Sequence, residues 1–305
     1  MYALLSEVIE TCLTSLICMI CSSSLMSSYA YFPHQSSDGR KPKLSIVIPV
    51  YNEAKAIASV IREIKQTVES AAIQPPLLYE IVVVDDGSCD NTFAILEAMQ
   101  KEDPHLRAIS YKPNRGKGYA IKMGIMASQG EIVIFIDADL NMELSPQLIA
   151  NYYYELDDSC DLVIGSKKHP LSKVNLSAHR GFLSTAFRFL SKELVGIKDI
   201  SDTQVGLKVG KAELLRRISE ITIVRRYAFD IEFLIIALML NANIRELPIT
   251  FKSSKEGIRI VDIARMFIDI VKISYRYRIN HWYQKQLEQP RLYVGEDLHN
   301  QIQFH

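Results

Sequence analysis

From Lys43 onward the chain alternates between short aliphatic runs and longer stretches with helical spacing. "LSIVIPV" (Leu44 to Val50) and "EIVVVDD" (Glu80 to Asp86) are almost continuously apolar until their polar ends, the pattern of strands buried on both faces. "LRAISY" from Leu106, "EIVIFID" from Glu131 and "DLVIG" from Asp161 predict three more strands. Between them, helical patterns run from Glu53 to about Ser70, from Asn91 with Asp90 as N-cap, from Gly116 to Ser128 and from Ser145 to Leu156. Strands alternating with helices predict an α/β domain built on a mostly parallel sheet with helices on both faces. Right-handed crossovers would bring the strand C-terminal ends to one edge, where open α/β sheets bind ligands. Tyr51, Asn52 and Glu53, then Asp85 and Asp86, then Asp137 and Asp139, are expected to meet there.

The 305 residues allow one large domain with appendages. We expect an apolar leader and linker over 1–40, the α/β domain over 41–252, a basic loop and amphipathic helix over 253–280, and a polar, mobile tail over 281–305. The formal net charge is zero, so nothing suggests a nucleic-acid partner, which would require a basic excess. Within the leader, "TCLTSLICMICSSSLMSSYAYF" (Thr11 to Phe32) carries no charge and is long enough to span a bilayer. It is also rich in Ser and Thr, and Glu7 and Glu10 stand where a signal peptide would be positive. A marginal membrane anchor, a disordered leader and an over-long start all remain open. The Cys18–Cys21 pair has no further ligands at zinc spacing, and five cysteines without a framework suit a reducing compartment.

Two further absences and one presence narrow the chemistry. The chain has no G-x-x-x-x-G-K-[ST] loop and no G-x-G-x-x-G after its first strand, which argues against a P-loop NTPase and a standard dinucleotide domain. Instead, "VIFIDADLN" (Val133 to Asn141) places Asp137 and Asp139 two apart at a strand end, pointing roughly the same way. Two carboxylates so placed suit a hard divalent cation that also holds substrate phosphates, although a pair of turn residues ending a strand has the same pattern.

"VIPVYNE", "VVVDDGSCDNT", "NRGKGYA" and "IDADL" occur in this order, each at a strand end or in the loop after it. Together they resemble the family 2 glycosyltransferases with the GT-A fold, over about Lys43 to Phe251. The resemblance implies that Pro49, Tyr51 and Glu53 line the donor nucleotide, that Asp85 contacts its base or ribose with Asp86 beside it, and that Lys117 lies in the segment covering it. It implies that Asp137 and Asp139 hold Mg²⁺ or Mn²⁺ at the donor diphosphate, with Asn141 as a further oxygen ligand.

The second half, with "DTQVGLK" (Asp202 to Lys208) and "YAFDIEF" (Tyr227 to Phe233), is similar to the polyprenyl-phosphate branch, closer to dolichyl-phosphate β-glucosyltransferases than to mannose synthases. This implies transfer of glucose from UDP-glucose, or mannose from GDP-mannose, to a polyprenyl phosphate. A related enzyme acting on a polysaccharide or protein hydroxyl is the more distant alternative. Arg180 and Ser184, four apart on one helical face, and Lys167 would hold the acceptor phosphate. Lys167 stands where many relatives have Arg and lacks its bidentate fork. Asp202, with Gln204 near it, would orient the sugar or acceptor, unless both belong to a helix-capping loop. Asp230 and Glu232 read equally as ordinary first-turn carboxylates of an apolar helix. The Tyr152–Tyr153–Tyr154 run reads as packing and surface aromatics.

A lipid acceptor requires contact with a bilayer. In "VDIARMFIDIVKISYRYRI" (Val261 to Ile279), Ile263, Met266, Phe267, Ile270, Val271 and Ile273 have helical spacing, with Arg265, Lys272, Arg276 and Arg278 around them. That pattern fits a basic helix on a membrane surface and, equally, a helix packed on its own domain. We therefore expect a membrane-associated protein with its catalytic domain on the cytoplasmic face.

Overall fold

The computed structural model of the chain describes residues 41–138, 142–174, 196–197, 200–226, 228–251 and 260–289, with the backbone alone at 260–264. The leader, Asp139, Asn141, Arg180, Ser184 and the basic loop over 252–259 lie outside the described residues.

The strands are β1 (Leu44–Val50), β2 (Tyr79–Asp85), β3 (Leu106–Ser110), β4 (Ile132–Phe135), β5 (Leu162–Ser166), β6 (Lys173–Val174), β7 (Lys208–Lys211), β8 (Ile244–Pro248) and β9 (Thr250–Phe251). The helices are α1 (Ile57–Glu69), α2 (Thr92–Glu102), α3 (Lys117–Ala127), α4 (Pro146–Tyr154), α5 (Ala212–Ile221), α6 (Phe229–Met239), α7 (Ile260–Arg278) and α8 (Trp282–Glu288). Seven strands form one sheet in the order β3-β2-β1-β4-β7-β5-β8, while β6 and β9 form a small second sheet. β7 runs antiparallel to both its neighbours and the other pairings of the large sheet are parallel. This is the mostly parallel α/β sheet that the sequence predicts.

β1 is buried along its whole length because helices cover both faces. Val47 joins a core with α3, α5, α6 and α7, whereas Leu44, Ile46 and Ile48 join a core with α1 and α4. The alternation follows from the two-residue period of a strand, and each fully buried aliphatic side chain is worth about 1.5–3 kcal/mol. Pro49 lies beyond the last β4 partner of β1, Val47, where a missing N–H breaks no bond to that neighbour. The chain runs from β1 out to β3 and then returns to the other side of β1 as β4. That reversal opens a crevice between the loops after β1 and β4, the place where such sheets bind ligands.

Three features differ from the sequence expectations. Strands β7 and β8 carry no apolar run, since Lys208 and Lys211 bound β7 and Arg245 and Glu246 sit within β8. The helix expected to be capped at Asp90 starts at Thr92, and Asp90 Oδ1 accepts from the Thr92 N–H at 3.0 Å. The start of the expected polar tail is the helix α8, whose Tyr283 is fully buried and donates to Glu232 Oε1 at 2.6 Å. Burial pushes the Glu232 carboxyl up, and the Tyr283 hydroxyl and the Val224 and Ile223 N–H groups oppose the shift. Glu232 is thus a first-turn carboxylate of α6, as one reading of the sequence expects, and also a buried core tie. The tyrosines of α4 divide as expected, Tyr152 being buried and Tyr154 exposed.

Helix α7 packs on its own domain through one face and leaves apolar side chains exposed on another. Met266, Ile270 and Ile273 pack inward. Phe267, Ile268, Val271, Tyr275 and, just past the helix, Ile279 are 44–68% exposed. No described helix is long and apolar enough to cross a membrane.

Candidate active site

The loop after β1 and the loop after β2 are stitched by backbone-to-side-chain bonds. Asn52, at φ 57°, takes the left-handed conformation that Asn tolerates. Its N–H donates to Ser88 Oγ at 2.8 Å and its Oδ1 accepts from the Cys89 N–H at 2.8 Å. The Glu53 N–H donates to Thr92 Oγ1 at 2.8 Å and the Ala54 N–H to Asp90 Oδ2 at 3.1 Å. Tyr51 stands half exposed beside this seam, Glu53 is partly buried, and Pro49 is buried within β1.

The adjacent aspartates have different tasks. Asp85 is buried, and its carboxylate accepts from the Ser88 N–H, the Ser88 hydroxyl and the Ser110 hydroxyl. Asp86 is also buried. Its Oδ1 accepts from Tyr111 Oη at 2.9 Å and the Arg115 N–H at 2.8 Å. Its Oδ2 accepts from Asn114 Nδ2 at 2.9 Å and the Gly116 N–H at 2.8 Å. Burial pushes the Asp86 carboxyl up, and the Arg115 N–H, the Tyr111 hydroxyl and the Gly116 N–H oppose the shift. Asp86 therefore folds the Asn114–Gly116 loop and sets the start of α3. Gly116 has φ 101°, and a Cβ there would lie 2.5 Å from the Arg225 carbonyl oxygen, so both conformation and space require glycine.

The first residue of α3 is Lys117. Its ammonium reaches across the crevice to Asp137, 2.6 Å from Oδ1 and 2.8 Å from Oδ2, with both side chains about a third exposed. On the other side of Asp137 lies Gly206, where a Cβ would overlap the carboxylate. Asp202 anchors that turn: its Oδ1 accepts from the Gln204 N–H at 3.1 Å and its Oδ2 from the Lys167 N–H at 3.1 Å. The Lys167 ammonium is 3.7 Å from Asp202 and 5.4 Å from the centre of the Phe251 ring. Glu246, on β8, accepts from the Ser201 N–H at 3.0 Å and the Asp202 N–H at 3.1 Å, fixing the turn from below.

Lys117, Asp137, Gly206, Gln204, Asp202 and Lys167 are thus linked through one set of contacts. Asp202 and Gln204 belong to a turn entering β7, which replaces the helix-capping alternative. Gly206 is not among the residues expected at the site, although it lies within "DTQVGLK" and a glycine in a turn is itself a sequence signal. Glu246 had no local signal, because its strand was not legible.

No three described His, Cys, Asp or Glu residues form a metal-sized group. Asp137 nevertheless fits one ligand position of a hard cation: it is a carboxylate at the crevice, within reach of solvent, against a cradle that a Cβ would fill. Asp139 and Asn141, the other expected oxygen ligands, are outside the described residues.

The family model described as "Glycosyl transferase family 2" matches residues 45–229. The dolichyl-phosphate beta-glucosyltransferase of Homo sapiens is 33% identical over 83% of this chain and 81% of its own. That of Dictyostelium discoideum is 31% identical over 78% of this chain and 76% of its own. Among solved structures, Mycobacterium tuberculosis glucosyl-3-phosphoglycerate synthase in complex with UDP aligns with a TM-score of 0.54 at 19% identity, over 86% of this chain and 88% of that one. The same protein in complex with Mn²⁺, UDP and glucosyl-3-phosphoglycerate gives 0.52 at 18% identity, over the same shares.

Proposed function

Because the chain belongs to glycosyltransferase family 2, we propose that it moves glucose from UDP-glucose to a polyprenyl (dolichyl) phosphate, with Mg²⁺ or Mn²⁺. One observation carries the reading: at the sheet's reversal, the Asp137 carboxylate is about a third exposed and paired with the Lys117 ammonium, while Asp85 and Asp86 are buried and bound by hydroxyl, amide and backbone N–H donors. The curated relatives are named for glucosyl transfer to dolichyl phosphate, and the structural neighbour was crystallised with UDP and Mn²⁺, which supports the donor and metal.

The acceptor phosphate is an anion at neutral pH, its second pKa being about 6, so it needs no strong base. A phosphate oxygen forms a bond to the sugar's anomeric carbon as the bond from that carbon to UDP breaks, and UDP leaves with the electron pair. One such displacement inverts the anomeric carbon and gives a β-linked lipid-phosphate sugar. Asp137 would hold the cation, with Asp139 and Asn141 as its expected co-ligands. When bound, that cation supplies positive charge to the departing diphosphate. Lys117 adds a second cation beside it, while Lys167, held by Asp202, offers a cation on the acceptor side. The outward apolar stripe of α7, with exposed Lys272 and Arg278 on the same helix, supports a membrane surface as the place of reaction. Free Cys89 and Cys160 suit the cytoplasmic face.

The test is a transfer assay with labelled UDP-glucose or GDP-mannose, a polyprenyl phosphate, and Mg²⁺, Mn²⁺ or chelator. Metal-dependent label from UDP-glucose in the lipid fraction is expected. Label from GDP-mannose alone would replace the sugar. No lipid label from either donor, with UDP still bound, would overturn the acceptor.

A further inference from the structure

Lys208 is among the largest fully buried side chains of the protein. Its ammonium bonds to Asp230 Oδ1 and donates to the Val205 carbonyl oxygen at 2.7 Å. Asp230, in the first turn of α6, is also buried. A buried pair of opposite charges commonly adds little net stability, since desolvation consumes most of the attraction. Its position is more telling. Lys208 pairs across the ladder with Phe135, and its ammonium sits 5.4 Å from the centre of that ring. Phe135 precedes Asp137 by two residues, and Val205 directly precedes Gly206, the residue lying against the Asp137 carboxylate.

We propose that Lys208 and Asp230 are positioning residues for the donor site. The pair pins the Val205–Gly206 peptide, and Gly206 in turn limits where the Asp137 carboxylate can stand. Asp230 fixes the ammonium from α6, Lys208 transmits that placement to the turn, and neither touches substrate. Without the pair, the Val205 carbonyl loses its donor and the turn can shift away from Asp137. This inference rests on the metal-dependent reading of Asp137.

The experiment is calorimetric titration of the full chain with UDP in the presence and absence of Mn²⁺, alongside thermal melting. The double variant K208M/D230L replaces the pair with apolar groups, and D230N keeps the shape while removing one charge. Both are expected to melt cooperatively. The double variant should lose about tenfold in Mn²⁺-dependent UDP affinity, the scale seen when an outer-shell partner of a metal ligand is removed. D230N should lose less, with metal-independent UDP binding unchanged in both. A folded double variant, or a folded D230N should the double fail to fold, that binds Mn²⁺ and UDP like the wild type overturns the proposal. Loss of cooperative melting in both variants also overturns it, assigning the pair to the core alone. Wild type without Mn²⁺-dependent UDP binding would instead overturn the metal reading, and the proposal with it.

Discussion

Two neighbouring regions of the sheet edge treat their carboxylates in opposite ways. After β2, Asp86 is buried and accepts four hydrogen bonds from the Tyr111–Gly116 segment, so its oxygens are spent on folding a loop. After β4, Asp137 keeps about a third of its side chain exposed and faces a lysine and a glycine. A buried carboxylate with its lone pairs filled by fixed protein donors cannot also ligate a cation strongly, whereas a partly exposed one paired to a lysine ammonium can exchange partners. The first region is a folded scaffold, and the second leaves a partly exposed carboxylate at the crevice.

The comparison is most sharply tested at Asp137. D137A should lower lipid-linked transfer by at least about 100-fold, the scale for losing one preorganised charge at a developing oxyanion, with little change in melting temperature. An active D137A would end the distinction. Next, G206A puts a methyl group where the Asp137 carboxylate lies, so transfer should fall by about tenfold or more, with an overpacking cost of about 1–3 kcal/mol in denaturant unfolding. D86A should behave in the reverse sense to D137A. It strands four donors, so stability should drop by about 3 kcal/mol, and transfer should fall only as far as the Asn114–Gly116 loop loosens. The smallest effect lies outside both regions. Changing Ile268 and Val271 on α7 to serine should weaken binding to anionic liposomes by about tenfold, from roughly 0.7 kcal/mol for each of the two half-buried side chains, and leave UDP binding alone. Unchanged liposome binding would remove α7 from the membrane contact.

The five strands legible in the sequence are those whose apolar runs are buried on both faces, from β1 to β5. β7 and β8 were not legible because charged residues occupy them. Lys208 is accommodated by a buried partner, and Glu246 by the backbone N–H groups of Ser201 and Asp202. Neither partner is near in sequence. α8 was hidden for a similar reason: a short polar stretch is held by Tyr283 inserting beside Glu232, 51 residues away.

The sequence by itself determined the α/β class, the run of polar residues at one sheet edge, and the ordered motifs that identify the family. These are properties of local period and spacing, which a chain carries wherever it folds. Only the tertiary structure decided which member of the Asp85–Asp86 pair organises the loop over 114–116, and that Lys117 rather than another cation faces Asp137. It also decided that Gly206 must be glycine and that Asp230 is an internal counter-ion. Each of those outcomes depends on which distant groups are brought within about 3 Å, the range at which hydrogen bonds act, and no local pattern encodes that proximity.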